Sequence, residues 1–330
     1  MNRREFIKVG VTAGGVIFLG LPGRAKGVTK MEAAVSHLYD IPGTIPIHVG
    51  LKRGFYREEG LDITWVNFAG GGETVRGVLT GGMPFGQTSV TAPIIAFEKG
   101  EDIRLVSGND NMTPIVFVVR ADSPLKKIQD LKGKKVGFSR PGAVTHYLVL
   151  KSLREAPGID PRDVEIVPVG GPPAAWAAVK GGVVDAGWSS FPLLSKILAE
   201  GEARILWRSS DFIPDFVETG IMSSPRMIKE KGDIINAFLQ AHQKAIDFVH
   251  KEPEETAKIW AEALKIPLEH AKIGVKEGTA GLSTKFSVKG LKAVEEGLLE
   301  LKLIKKPVAW DKLLDLSLLD PAYRITVPTG

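Results

Sequence analysis

The chain has 330 residues, a length that suits two domains of about 150 each. Hydrophobic residues make up 44% and charged residues 25%, which is a globular composition, and the absence of cysteine excludes disulfides, thiolate metal sites and cysteine nucleophiles. The net charge is +5, but residues 1–25 carry Arg3, Arg4, Lys8 and Arg24 against Glu5, so the rest of the chain holds about +2, with no long basic block of the kind that binds nucleic acid.

The first segment has the order of an export signal. Arg3-Arg4-Glu5-Phe6-Ile7-Lys8 is basic, Val9–Leu21 is apolar and broken by glycine, and the small residues Gly23 and Ala25 follow. The paired arginines resemble a twin-arginine signal. The apolar run is shorter than the roughly 20 residues that span a bilayer, although an uncleaved anchor is a competing reading. Without a cysteine to carry lipid, the mature chain, from about residue 26 on, is expected free in a periplasm, not anchored.

Strand and helix patterns then alternate, which favours an α/β fold. Lys30–Leu38 reads as a buried strand, and Tyr39–Gly43 as a turn. Thr44 is placed as the N-cap of a helix that runs to Lys52 and stops at Gly54. Asp62–Phe68 is the next strand. Glu73–Thr80 is a helix, and Phe85 falls in a short strand. Thr88-Ser89 is read as opening a helix that runs to Lys99. Ile103–Ser107 and Ile115–Arg120 read as strands, the second apolar on both faces. Ile128–Leu131 is a one-turn helix, Lys132-Gly133-Lys134-Lys135 a solvated basic turn, and Val136–Phe138 a strand. A helix follows His146, and Val164–Val169, Ile205–Trp207 and Ile221–Ser223 are further strands. The last third is helical: Asp233–Val249 has an apolar stripe at helical period, followed by helices over Pro253–Leu264, Leu268–Glu277, Ser287–Leu301 and Asp311–Leu319.

Within this series one stretch occurs twice. Gly70-Gly71-Gly72-Glu73, Gly81-Gly82, Gly86-Gln87-Thr88-Ser89 and Pro93 are echoed by Gly170-Gly171-Pro172-Pro173, Gly181-Gly182, Gly187-Trp188-Ser189-Ser190 and Pro192, with Gly70 and Gly170 a shift of 100 residues apart. Each copy reads as glycine loop, helix, Gly-Gly stop, strand and polar loop, which suggests two similar halves facing one another. A chance match among 37 glycines is the alternative.

Three segments carry a resemblance. Lys52-Arg53-Gly54-Phe55-Tyr56-Arg57-Glu58-Glu59-Gly60-Leu61-Asp62-Ile63, Asp130-Leu131-Lys132-Gly133-Lys134-Lys135-Val136-Gly137 and Gly181-Gly182-Val183-Val184-Asp185-Ala186 resemble, in the same order, motifs of the solute-binding proteins of the sulfonate, nitrate and taurine uptake class. The resemblance implies a type II periplasmic binding protein fold, with two α/β lobes joined by two crossing strands and a helical C-terminal tail on the first lobe. Lobe 1 would comprise residues 28–116 and 220–330 and lobe 2 residues 117–219, with crossings near Ile115–Val119 and Phe216–Ile221. It implies a monomer that closes over a small organic anion or oxyanion and presents it to an ABC permease of the inner membrane. No enzymatic activity, catalytic residue, metal, cofactor or nucleic-acid partner is expected. Two alternatives remain. One is an enzyme on the same scaffold, of a pyrimidine-precursor or menaquinone pathway, although the cysteine-rich motif of the pyrimidine branch is missing. The other is a sensor subunit for a membrane kinase.

Ligands of an open α/β sheet gather where strand C-termini meet helix N-termini, and a helix start favours an anion through its free N–H groups. The candidate ligand-binding residues are therefore Asp40, Thr44, Gly71, Gly72, Thr88, Ser89, Ser139, Arg140, Thr145, His146, Trp188 and Ser189. Glycines admit close backbone approach and hydroxyls donate to oxyanions, while each hydroxyl alone has an ordinary capping role as its alternative. Arg140 is either a bidentate clasp or a solvated rim residue, and His146 either a donor or a capping residue. Trp188 would wall the organic part of the ligand. Trp176 and His242 are expected in the core, and Asp185 is expected to hold its loop.

Overall fold

The computed structural model describes residues 28–328 except Asp40, Ala69, Gly81 and Gly142, so the export-signal segment and Asp40 lie outside the described residues. The first half runs β1 (Thr29–Ser36), α1 (Ile45–Arg53), α2 (Phe55–Glu58), β2 (Leu61–Phe68), α3 (Gly71–Thr80), β3 (Gly86–Ser89), α4 (Thr91–Glu98) and β4 (Arg104–Asp110). Then come β5 (Val116–Arg120), β6 (Lys135–Phe138), α5 (Val144–Glu155), β7 (Glu165–Pro168), α6 (Pro172–Lys180), β8 (Ala186–Ser189), α7 (Leu193–Ala199) and β9 (Ala203–Arg208). The chain closes with β10 (Thr219–Ser223), α8 (Pro225–Lys251), α9 (Pro253–Leu264), α10 (Leu268–Gly278), α11 (Val288–Glu300) and α12 (Trp310–Leu313).

The strands form two five-stranded sheets of matching design. In the first the order is β2-β1-β3-β10-β4, with β1 parallel to β2 and β3 and with β10 antiparallel to both its neighbours. In the second the order is β7-β6-β8-β5-β9, with β6 parallel to β7 and β8 and with β5 antiparallel to both its neighbours. The chain crosses between the sheets at residues 111–115 and again at 209–218, and each crossing delivers the fourth strand of the sheet it enters. The repeated stretches take equivalent places: α3 leads into β3 in one sheet, and α6 leads into β8 in the other.

Local sequence explains the element ends. Gly54 stops α1 at φ 79°, a left-handed position that a side chain would strain. Ser224 caps α8 by accepting from the Met227 N–H at 3.2 Å, and Pro225 occupies the first turn where no N–H is needed. Ala33, Ala34 and Val35 of β1 are completely buried, as expected of a parallel strand covered on both faces. The basic turn at Lys132–Lys135 is tied down by exposed pairs to Asp163, Asp185 and Glu165. Asp185 also accepts from the Lys135 N–H at 2.8 Å, so it holds its loop. Asp311–Leu319 forms only the single turn α12, since Leu314 continues into an extended bridge beside Leu105.

The helical tail reaches further than the first lobe. Its first helix, α8, lies against α1 and α2. Of the next two, α9 packs on α1 and α10, and α10 packs on α7 of the second sheet, where Trp260 and Val275 share a buried cluster with Ile45, Val49, Phe191 and Leu194. Trp260 meets Phe191 edge-on at 6.4 Å. On the other side α11 packs on α5, burying Leu291, Val294 and Leu298 against Tyr147 and Leu148. Exposed ion pairs Lys151–Glu296 at 2.8 Å and Arg154–Glu300 at 2.7 Å fringe that contact. Such pairs are worth little individually, so the apolar burial dominates.

The fit around Trp260 allows no added volume. A Cβ on Gly274 of α10 would overlap the indole ring, which is 1% exposed. Gly274→Ala should therefore destabilise the fold by about 1–3 kcal/mol despite the better helix propensity of alanine. Urea unfolding monitored by circular dichroism checks this, and an unchanged midpoint would contradict it.

Candidate functional site

The parallel strands of both sheets end toward a common space. Ser36 ends β1 and His37 follows it, Ser89 ends β3, and Trp188 lies near the end of β8. β10, which runs the other way, brings its first residue Thr219 and the preceding Glu218 to the same place. Between them lies a cavity of about 820 Å³. The second sheet contributes Pro172 and Pro173 at the start of α6 and the segment Ser190–Leu193 with Lys196 of α7. The tail completes the wall with Ile266, Pro267 and His270. The walls are mainly proline, isoleucine, leucine, phenylalanine and tryptophan, with a few polar groups between them, which is the usual make-up of a small-molecule site.

The structure divides the twelve sequence candidates. Trp188 and Ser89 line the cavity. The Trp188 indole N–H donates to the Gly170 carbonyl at 2.9 Å, which fixes the ring as a wall. Ser89 Oγ lies 3.1 Å from Thr91 Oγ1. Thr88 is buried behind them, with its hydroxyl 2.8 Å from Ser36 Oγ, and Ser189 is completely buried at the end of β8. Thr88, Ser89 and Ser189 thus end strands and do not open helices, because the hydroxyl run continues the ladder with β10 or β5.

Apart from Asp40, which lies outside the described residues, the other candidates are not among the residues that line the cavity. Thr44 precedes α1, but its hydroxyl lies 2.9 Å from the Leu38 carbonyl and 2.8 Å from that of Ile41 and is fully buried, so it ties down the turn. Gly71 and Gly72 begin α3, and Gly71 is where α4 comes close, since a Cβ there would lie 2.6 Å from that of Ala92. Ser139 and Thr145 join their hydroxyls at 2.5 Å, and Thr145 also accepts from the Ser139 N–H at 3.1 Å. His146 stacks on Phe138 with ring centroids 4.6 Å apart, and Arg140 is exposed. Of the residues expected in the core, Trp176 is buried and donates to Glu202, and His242 is buried and hydrogen-bonded on both ring nitrogens.

Sequence reasoning missed Glu218, Thr219, Ser36, Lys196 and His270. The signal for the first two was the second crossing, where a single acid interrupts an apolar run, Phe216-Val217 and Ile221-Met222. Nothing in the local pattern of α10 distinguishes His270 from a surface helix residue.

Glu218 sets the electrostatics. Its Oε2 is shielded from water and has no partner among the described residues. Burial pushes its carboxyl from 4.5 up to about 7, partly opposed by a hydrogen bond from Thr113. Asp110 on β4, also buried, is raised by burial and by the neighbouring Glu218, against the hydrogen bond from the Met112 N–H. Among the described residues no group of three or more His, Cys, Asp or Glu side chains is placed to hold a metal ion.

Comparison with known proteins follows the same lines. A sequence profile described as NMT1/THI5 like matches residues 41–256. A protein of Escherichia coli strain K12 named putative aliphatic sulfonates-binding protein is 30% identical over 210 residues, which span 62% of this chain and 63% of that protein. The crystal structure of the periplasmic aliphatic sulphonate binding protein SsuA from Escherichia coli superposes with a TM-score of 0.71 at 23% identity, covering 86% of this chain and 91% of the other. The desulfurization enzyme DSZB has the same fold, with a TM-score of 0.65 at 17% identity over 87% of this chain and 97% of its own.

The raised carboxyl has a consequence for stability. Between about pH 4.5 and pH 7 the unfolded chain releases the Glu218 proton while the folded chain keeps it, so this group makes stability fall as pH rises through that window and level off above it. Glu218→Gln should remove that fall and leave the protein more stable than the native chain at pH 8. Urea midpoints across the range check it, and parallel pH profiles for the two proteins would contradict it.

Proposed function

Because the chain belongs to the NMT1/THI5-like family, we propose that it is an extracytoplasmic solute-binding protein, one that closes two lobes over a small organic anion and hands it to an ABC permease of the inner membrane. The carrying observation is the cavity itself, which draws Trp188 and Phe191 from one sheet and Ser36, Ser89 and Thr219 from the other. A solute there bridges both sheets and stabilises the closed arrangement, which is the logic of hinge closure. At about 820 Å³ the space suits a molecule with an organic body. Apolar walls would hold that body, and the hydroxyls, with Lys196 and His270, would meet its charged head. Sulfonates and aromatic carboxylates fit that description better than nitrate does.

The lobes would be residues 28–116 with 220–330, and 117–219. We place the protein in the periplasm as an unanchored monomer exported through its twin-arginine-type leader. The family resemblance supports this, as does the sulfonate-binding role named for the Escherichia coli relatives. The desulfurization enzyme shows that the scaffold admits catalysis, but this chain has no cysteine to act as a nucleophile. Binding without reaction is the function the site supports.

A thermal-shift panel of alkyl and aryl sulfonates, aromatic carboxylates and inorganic oxyanions tests this. An organic anion at a hundred times its Kd should add about 2.7 kcal/mol to stability and raise Tm. The shift should be lost in Trp188→Ala. A panel with no response from any organic anion would overturn the proposal.

A further inference from the structure

A buried hydrogen-bond chain ends at the cavity, and its direction can be worked out from one fixed acceptor. The Gly43 carbonyl can only accept. It takes hydrogen bonds from Gln87 Nε2 at 2.7 Å and from Asn109 Nδ2 at 2.8 Å. The Asn109 amide is thereby oriented, and the same Nδ2 donates to Thr219 Oγ1 at 2.7 Å. Its Oδ1 must then accept, and it faces His242 Nε2 at 2.7 Å. His242 is therefore protonated on Nε2, which leaves Nδ1 to accept from the Tyr56 hydroxyl at 3.2 Å. Burial supports a neutral ring, holding the His242 pKa down to about 3.

The consequence falls on Thr219. Its oxygen already accepts from Asn109, and its hydroxyl proton has no acceptor among the described residues. The side chain is 1% exposed and lines the cavity. We infer that the chain Tyr56–His242–Asn109 fixes Thr219 as a hydrogen-bond donor to the bound solute, so that the site selects solutes that place an acceptor oxygen or nitrogen at this corner. The inference rests on the proposed solute-binding role and adds to it a residue that sets ligand chemistry. Asn109, His242 and Tyr56 are positioning residues, since none of the three lines the cavity. Gly43 belongs to the same device: a Cβ there would lie 3.0 Å from Thr219 Oγ1 and 3.3 Å from Asn109 Nδ2, so a side chain would press on the junction.

Two measurements test it, with benzenesulfonate as the probe. Nitrogen-15 NMR of the histidine side chains should find His242 as the neutral Nε2–H form from about pH 5 to pH 8, with no titration. The Nδ1–H form would reverse the donors from Tyr56 through His242 to Asn109 and overturn the inference, whatever the protein binds. By calorimetry, Thr219→Val should weaken benzenesulfonate about ten- to hundredfold, the loss of one hydrogen bond to a charged acceptor, while Thr219→Ser stays within a few-fold of native. Equal affinities for native protein and Thr219→Val would overturn the donor role. If the valine variant fails to fold, a large loss in Thr219→Ser, which keeps the hydroxyl, would do the same. A native protein silent to benzenesulfonate and to every other organic anion counts against the proposed function, and the histidine spectrum still decides the direction of the chain.

Discussion

Strand exchange between the two sheets is the constraint from which the rest of the molecule follows. β10 pairs between β3 and β4, and β5 pairs between β8 and β9, so each sheet is finished by a strand arriving from the other. Both inserted strands run antiparallel to their neighbours. A strand running that way starts where its parallel partners end. The crossings at 111–115 and 209–218 are therefore led to the same side as the strand C-termini, and Glu218 and Thr219 arrive at the cavity for a topological reason. A single continuous sheet would have ended its strands in solvent on that side.

The helical tail adds the second condition. Packing against both α7 and α5, it joins by apolar contact two sheets that the backbone links at only two places among the described residues. The burial of side chains such as Trp260, Trp310 and Leu298 far outweighs the exposed ion pairs around them. The tail also gives Ile266, Pro267 and His270 to the cavity, so the element that holds the lobes together is also part of the wall a solute would touch.

Much of this was legible in the sequence because glycine and proline mark positions the backbone cannot take otherwise. The doubled glycine loop predicted paired halves, and the paired α3–β3 and α6–β8 units occupy matching places. The three resemblance segments pointed to the family that the profile match identifies. Individual site residues were harder. A hydroxyl before a helix and a hydroxyl at a strand end look alike in one dimension, so Thr88 and Ser89 read as a helix start although they end β3. Thr44 had the right position, yet two carbonyls take its hydroxyl. Glu218 is marked in the sequence only as a single acid inside an apolar run, and its burial comes from distant segments, while the local periodicity around His270 carries no trace of a site.

In the proposed function a solute sits between the two sheets and touches both. A crystal structure of the protein with a bound organic sulfonate tests that claim most directly. The expected result is the organic body against Trp188 and Phe191 and an acceptor atom of the head within hydrogen-bond distance of Thr219 Oγ1. A solute held by residues of one sheet alone, or lodged outside this cavity, would contradict it.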